Sequence, residues 1–138
     1  MLRVLIACLA LVLTVPLASA QERLAPNPAI ETTIQNQFDA FLDRDVGEAW
    51  QYASPNIQSL FGSPENFGRM VEQGYPMVWT PGRVEFIDLQ SLGGILVQRV
   101  EVIDQAGTAH YLGYQMIETG EGWRINGVQV LRAPQVGA

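Results

Sequence analysis

The stretch "DLQSLGGILVQRVEVIDQAGTAHYLGYQM", Asp88 to Met116, decides the fold. Apolar residues recur in it with a period of two, and two turn signals interrupt it. Gly93-Gly94 is a two-residue hairpin turn, which sets Leu92 against Ile95. From that point Leu89 opposes Gln98 and Ile87 opposes Val100, while Asp88 meets Arg99 on the other face. Gln105-Ala106-Gly107 fits a three-residue loop with its glycine left-handed. That loop pairs Val102 with His110, Val100 with Leu112, Gln98 with Tyr114 and Leu96 with Met116.

Working outward, a third hairpin around Gly120-Glu121 pairs Glu118 with Trp123 and Met116 with Ile125. The three registers agree on one inner face: Ile87, Leu89, Leu96, Val100, Val102, Leu112, Met116 and Ile125. Asn126-Gly127 is itself a hairpin signal, but the strand ending at Glu118 needs a partner that continues to Leu131. A bulge is therefore expected there, and it shifts Val128 and Val130 onto the inner face.

Upstream the period is helical. Asn27 is a cap with Pro28 in the first turn, and Ile30, Ile34, Phe38, Phe41 and Leu42 follow at helical spacing. Asp45 to Glu48 has capping-box spacing and opens a short helix through Trp50 and Tyr52. Ser54-Pro55 and Ser63-Pro64 each start another. The first of these stops near Gly62; the second carries Phe67, Met70 and Val71 inward and stops at Gly74, with Pro76 barring a restart. Helices first and strands afterwards predict an α+β domain, its N-terminal helices packed on a curved four-stranded antiparallel meander.

That order, closing with "GWRINGVQVL" (Gly122 to Leu131), resembles the NTF2-like, cystatin-related cone fold. More narrowly, "ASPNIQSLFGSPENFGRMVEQGYPMV" (Ala53 to Val78), "VQRVEVID" (Val97 to Asp104) and "GWRING" are similar to an uncharacterised family of exported bacterial proteins. That family is known only as a domain of unknown function. The resemblance implies a fold and no activity, so it transfers no catalytic residue.

The chain begins as an export signal does. Met1-Leu2-Arg3 is followed by an apolar run from Val4 to Val15 and a small-residue cleavage site at Ala18-Ser19-Ala20. The run is short of the roughly 20 residues a membrane span needs. Cutting before Cys8 instead, as for a lipoprotein, would leave too short an apolar region, so Cys8 reads as filling of the signal. The expected organisation is a cleaved signal over residues 1–20, a flexible lead-in over 21–27, one domain over 28–133 and a tail over 134–138. The destination is the periplasm or the exterior.

Removing Arg3 from the eight basic residues leaves seven arginines against 14 carboxylates, a mature net charge of −7. Such a chain lacks the basic stripe that nucleic acid or an anionic membrane would require. Without Cys8 it has no thiolate. One histidine and scattered carboxylates match no metal-ligand spacing, and no phosphate-binding glycine loop precedes a helix. No metal and no cofactor is expected.

A few side chains remain as candidates for chemistry. His110 lies on the inner face, where no carboxylate is near and Asp104 would have to reach along the strand. A hydrogen-bonded histidine at the rim of the core is favoured over a catalytic one. Gln98 and Tyr114 face each other mid-sheet, so either they bond each other or they point into a cavity walled by Tyr52, Met70 and Trp79. NTF2-like enzymes use a carboxylate base inside the cone, and no convincing one stands here. Asp88 with Arg99 reads as an exposed ion pair of small worth. The expectation is a non-catalytic exported domain that takes a small apolar ligand, or an envelope protein partner, in the cone. The alternatives are an NTF2-like isomerase, cyclase or hydrolase using Tyr114, Gln98 and His110, or a structural domain with a filled cone. A cavity of roughly 300 Å³ or more separates these.

Overall fold

A computed structural model describes residues 21–133. The export signal with Cys8 and its cleavage site, and the tail over 134–138, lie outside the described residues. The order is β1 (Gln21–Leu24), α1 (Pro28–Leu42), α2 (Val46–Gln51), α3 (Pro55–Phe61), α4 (Pro64–Gly74) and α5 (Pro76–Trp79). Four strands follow: β2 (Pro81–Leu92), β3 (Ile95–Asp104), β4 (Ala109–Thr119) and β5 (Gly122–Leu131).

The helix starts are the capped ones. Asn27 accepts from the amides of Ala29 and Ile30, Asp45 from Glu48, Ser54 from Ile57 and Ser63 from Asn66, each satisfying an otherwise orphaned N–H. Gly62 ends α3 in the left-handed conformation, φ 81°. Pro76 does not bar a helix; it starts α5, because the first helical position needs no amide proton.

The hairpin registers from Leu92–Ile95 through Glu118–Trp123 stand, with one shift. Val100 pairs with Phe86, not Ile87, because β2 bulges between Phe86 and Asp88. Ile87 is the extra residue and lies 39% exposed, off the inner face. The bulge at Asn126 is present: Met116 pairs with Ile125 and Gln115 with Gly127, which sets Val128 against Tyr114.

Two expectations are corrected. Gln21–Leu24 is not a lead-in but an edge strand antiparallel to β2, giving five strands where four were expected. Arg23 and Gln21 hold it there through side-chain bonds to Asp88 and Gln90, polar pairings that apolar periodicity does not register. Nor does the sheet curl into a cone. It is an open meander, β1-β2-β3-β4-β5, that is not closed on itself. Where a cone would enclose space, α1 lies over the inner face and Ile30, Ile34, Phe38 and Phe41 are buried with Val100, Val102, Leu112 and Tyr114. Packing at interior density leaves no closed central cavity. The domain is α+β with helices on one face of an open antiparallel sheet.

Candidate functional site

The concavity with the most apolar lining lies to one side of that core. Its position follows from how α3 is hung on the sheet. The Tyr52–Ser54 segment runs along β5: Ser54 N donates to Ile125 O at 2.8 Å, and Ile125 N donates to Tyr52 O at 2.8 Å. The Ser54 hydroxyl also donates to the bulge residue Asn126 at 2.7 Å, while capping α3. This lashing fixes the start of α3 beside β5, yet α3 buries none of its residues. Of its apolar face, Ile57, Leu60 and Phe61 at i, i+3 and i+4, Ile57 and Phe61 rest half-buried against the core while Leu60 stays exposed at the rim.

Under that face, α4 contributes Phe67, Met70 and Val71, α1 contributes Gln37 and Phe41, and β4–β5 contribute Tyr114, Ile125 and Val128. The result is a half-open crevice of about 230 Å³ with Leu60, 73% exposed, among its lining residues. One wall is stiffened by aromatic packing, Phe67 standing 5.8 Å from Phe41, 5.9 Å from Phe61 and 5.6 Å from Trp50.

Of the side chains singled out from the sequence, Tyr114 and Met70 line this crevice and the other four do not. Tyr114 is 1% exposed, its ring lies 5.9 Å from Phe38, and its hydroxyl has no hydrogen-bond partner among the described residues. Burial, and after it the neighbouring Tyr75, push its pKa far above the ordinary phenol range, so the group stays a neutral donor.

Gln98 does not bond Tyr114, although the two are register partners. Its Nε2 donates to the carbonyls of Asp88 and Arg99, both at 3.0 Å, and so knits the β2 bulge. Trp79 packs 5.8 Å from Phe41 under the Arg44 guanidinium, which sits 4.3 Å above its ring and donates to its carbonyl at 2.7 Å. Tyr52 donates to Glu48 at 2.6 Å on the α2 surface; that bond, then burial, raises its pKa.

His110 departs from expectation. Asp104 does reach along the strand, placing Oδ2 2.8 Å from His110 Nε2. The carboxylate's other oxygen accepts from the amides of Ala106 and Thr108 at 3.0 and 2.9 Å. Asp104 therefore clasps the β3–β4 turn, and its pKa is lowered first by His110 and next by Thr108. Neither residue lines the crevice holding Tyr114. The constellation Tyr114, Gln98 and His110 needed by an NTF2-like enzyme is dispersed over three separate bonding environments.

The outer face also differs. The Asp88 side chain is 6% exposed and takes a two-pronged contact from Arg99, Nε at 2.7 Å and Nη2 at 2.6 Å, with Arg23 of β1 adding Nη2 at 3.0 Å. This is a half-buried network, not an exposed pair.

The site missed by periodicity is the α3 wall, Ile57, Leu60 and Phe61, together with Tyr75 and Val128. A signal for it exists: an apolar face on a helix of seven residues too short to bury it.

Fold and site together define an open-sheet α+β domain with a half-open apolar crevice beside β5. The family described as Domain of unknown function (DUF4864) matches residues 23–138, and the chain belongs to it. No curated protein and no solved structure matches the chain. Membership of a family of unknown function therefore stands, while its placement among the NTF2-like cone folds is overturned by the open sheet. The reading of a ligand held inside a cone falls with it, since there is no closed cone cavity. No helix among the described residues is long and apolar enough to cross a membrane.

Proposed function

We propose that this domain is a non-catalytic binding module which takes a small apolar molecule into the crevice between α3, α4 and β5, and that it works outside the cytoplasm after export. The observation that carries the first part is the crevice's size and lining. At about 230 Å³ it falls short of the roughly 300 Å³ expected above of a ligand-holding cone, which excludes a drug-sized ligand, but it exceeds the roughly 150 Å³ cavity that holds benzene. It suits a single ring or a short branched acyl chain. Its wall is almost wholly apolar, which favours transfer of such a molecule out of water. The dispersal of Tyr114, Gln98 and His110 favours binding over turnover.

Ethylbenzene is a suitable first probe, titrated against methyl-labelled protein and followed by NMR. Saturable shifts are expected at Met70, Ile57, Ile125 and Val128, with none at Ile87 or Val97. Absence of saturation up to the probe's solubility, or shifts spread over the outer face, refutes the reading. Export is supported by the signal pattern: Arg3, the apolar run from Val4 to Val15 and the small-residue site at Ala18-Ser19-Ala20. The secreted protein is expected to start at Gln21; a lipid-modified terminus at Cys8 contradicts this.

A further inference from the structure

The crevice has few polar side chains, and their hydrogen bonds are unevenly committed. Gln37 Nε2 donates to the carbonyl of Ala49 at 3.1 Å, and the Tyr75 hydroxyl donates to the carbonyl of Val128 at 3.1 Å. The hydroxyl of Tyr114, buried with its residue 1% exposed, donates to nothing among the described residues. Buried polar groups are almost always paired, because an unpaired one keeps the full cost of leaving water. Such an orphan on the lining of a crevice marks where a ligand atom belongs.

Resting on the crevice being a ligand site, we infer that its ligand carries a neutral oxygen acceptor, of carbonyl type, which takes the hydrogen bond offered by the Tyr114 hydroxyl. Three features select that chemistry. A phenol is the better donor than acceptor, since its ring withdraws the oxygen lone pair. Burial keeps this phenol protonated. None of the lining residues is cationic, so a carboxylate would enter without a counter-charge and is disfavoured. The ligand class is thus a small neutral ketone, ester or aldehyde whose remainder is hydrocarbon.

The test compares acetophenone with ethylbenzene, which share a carbon skeleton and differ by the carbonyl oxygen. Each is titrated into the wild-type domain and into Tyr114→Phe, so that transfer from water cancels within each probe. The substitution is expected to weaken acetophenone about three- to tenfold, the worth of one neutral hydrogen bond, and to leave ethylbenzene unchanged. Thermal unfolding of both proteins confirms that the variant is folded. Equal effects on the two probes, or none on either, overturn the inference while leaving the crevice a ligand site. Failure of both probes to bind the wild type overturns the inference and the underlying reading together.

Discussion

Arg99→Ala tests the outer-face network most directly. The Asp88 side chain is only 6% exposed, and the Arg99 side chain, at 26%, supplies two of its four side-chain bonds. Arg23 and Gln90 supply the others, at 3.0 and 3.3 Å. Each hydrogen bond to a charged group contributes about 1.5–3 kcal/mol net. Breaking a fully buried pair costs about 3–5 kcal/mol, whereas an exposed pair is worth under about 1. Arg23 remains to hold the carboxylate but is mostly exposed, so the loss is placed between these limits, at about 2–3 kcal/mol. Urea unfolding at pH 7 reads it as a lower midpoint at unchanged slope. Arg99→Lys, which keeps the charge but not the fork, is expected to fall between the two. The pH dependence follows from Asp88, whose pKa is lowered chiefly by Arg99. A group depressed on folding contributes stability that is present above its unfolded value of about 3.9 and lost as pH falls through the folded one. The gap between wild type and Arg99→Ala is therefore constant from pH 5 to 8, roughly, and closes below about pH 4. A loss under about 0.5 kcal/mol at pH 7, or a gap that persists in acid, refutes the half-buried network.

Two further outcomes follow from buried and clasped groups. Tyr114→Phe is expected to raise the stability of the ligand-free protein by about 1 kcal/mol in urea unfolding, because it removes an unpaired buried hydroxyl; a loss of stability shows that the hydroxyl is paired. Asp104→Asn is expected to speed amide exchange at Ala106 and Thr108 at neutral pH, since a weaker acceptor now holds both N–H groups. The wild-type turn should itself loosen only as pH falls through the lowered pKa of Asp104, and equal exchange in both proteins at pH 7 contradicts the clasp.

Much of the sheet is legible in the sequence. Gly93-Gly94, at φ 58° and 85°, and Gly107, at φ 87°, adopt the left-handed conformations their turns demand, and period-two patterning carries the pairing outward from there. The Asn126 bulge was legible too, because β4 needs a partner through Leu131. The β2 bulge was not: Phe86-Ile87-Asp88 reads equally well as unbroken alternation, and only Gln98 bonding the Asp88 carbonyl shows where it breaks. Of the candidate site, Tyr114 and Met70 were found because apolar neighbours at regular spacing put them inside. Tyr52 and Trp79 were misplaced because their partners, Glu48 and Arg44, take them away from the crevice.

The division has a physical cause. Turn residues, caps and period are local properties of the chain, set by φ and by which backbone groups lack partners within a few residues. By themselves they determined the four side-chain-capped helix starts at Asn27, Asp45, Ser54 and Ser63, though not the fifth at Pro76, and three hairpins in register apart from the β2 bulge. What the side-chain tips meet is decided by elements distant in sequence. Only the tertiary structure brought β1 to Asp88, turned Asp104 onto His110 and left the sheet open over a packed α1. Only it, too, hung α3 from β5 so that Ile57 and Phe61 lean on the core while Leu60 stands exposed, over a crevice whose lining tyrosine has a hydroxyl with no partner among the described residues.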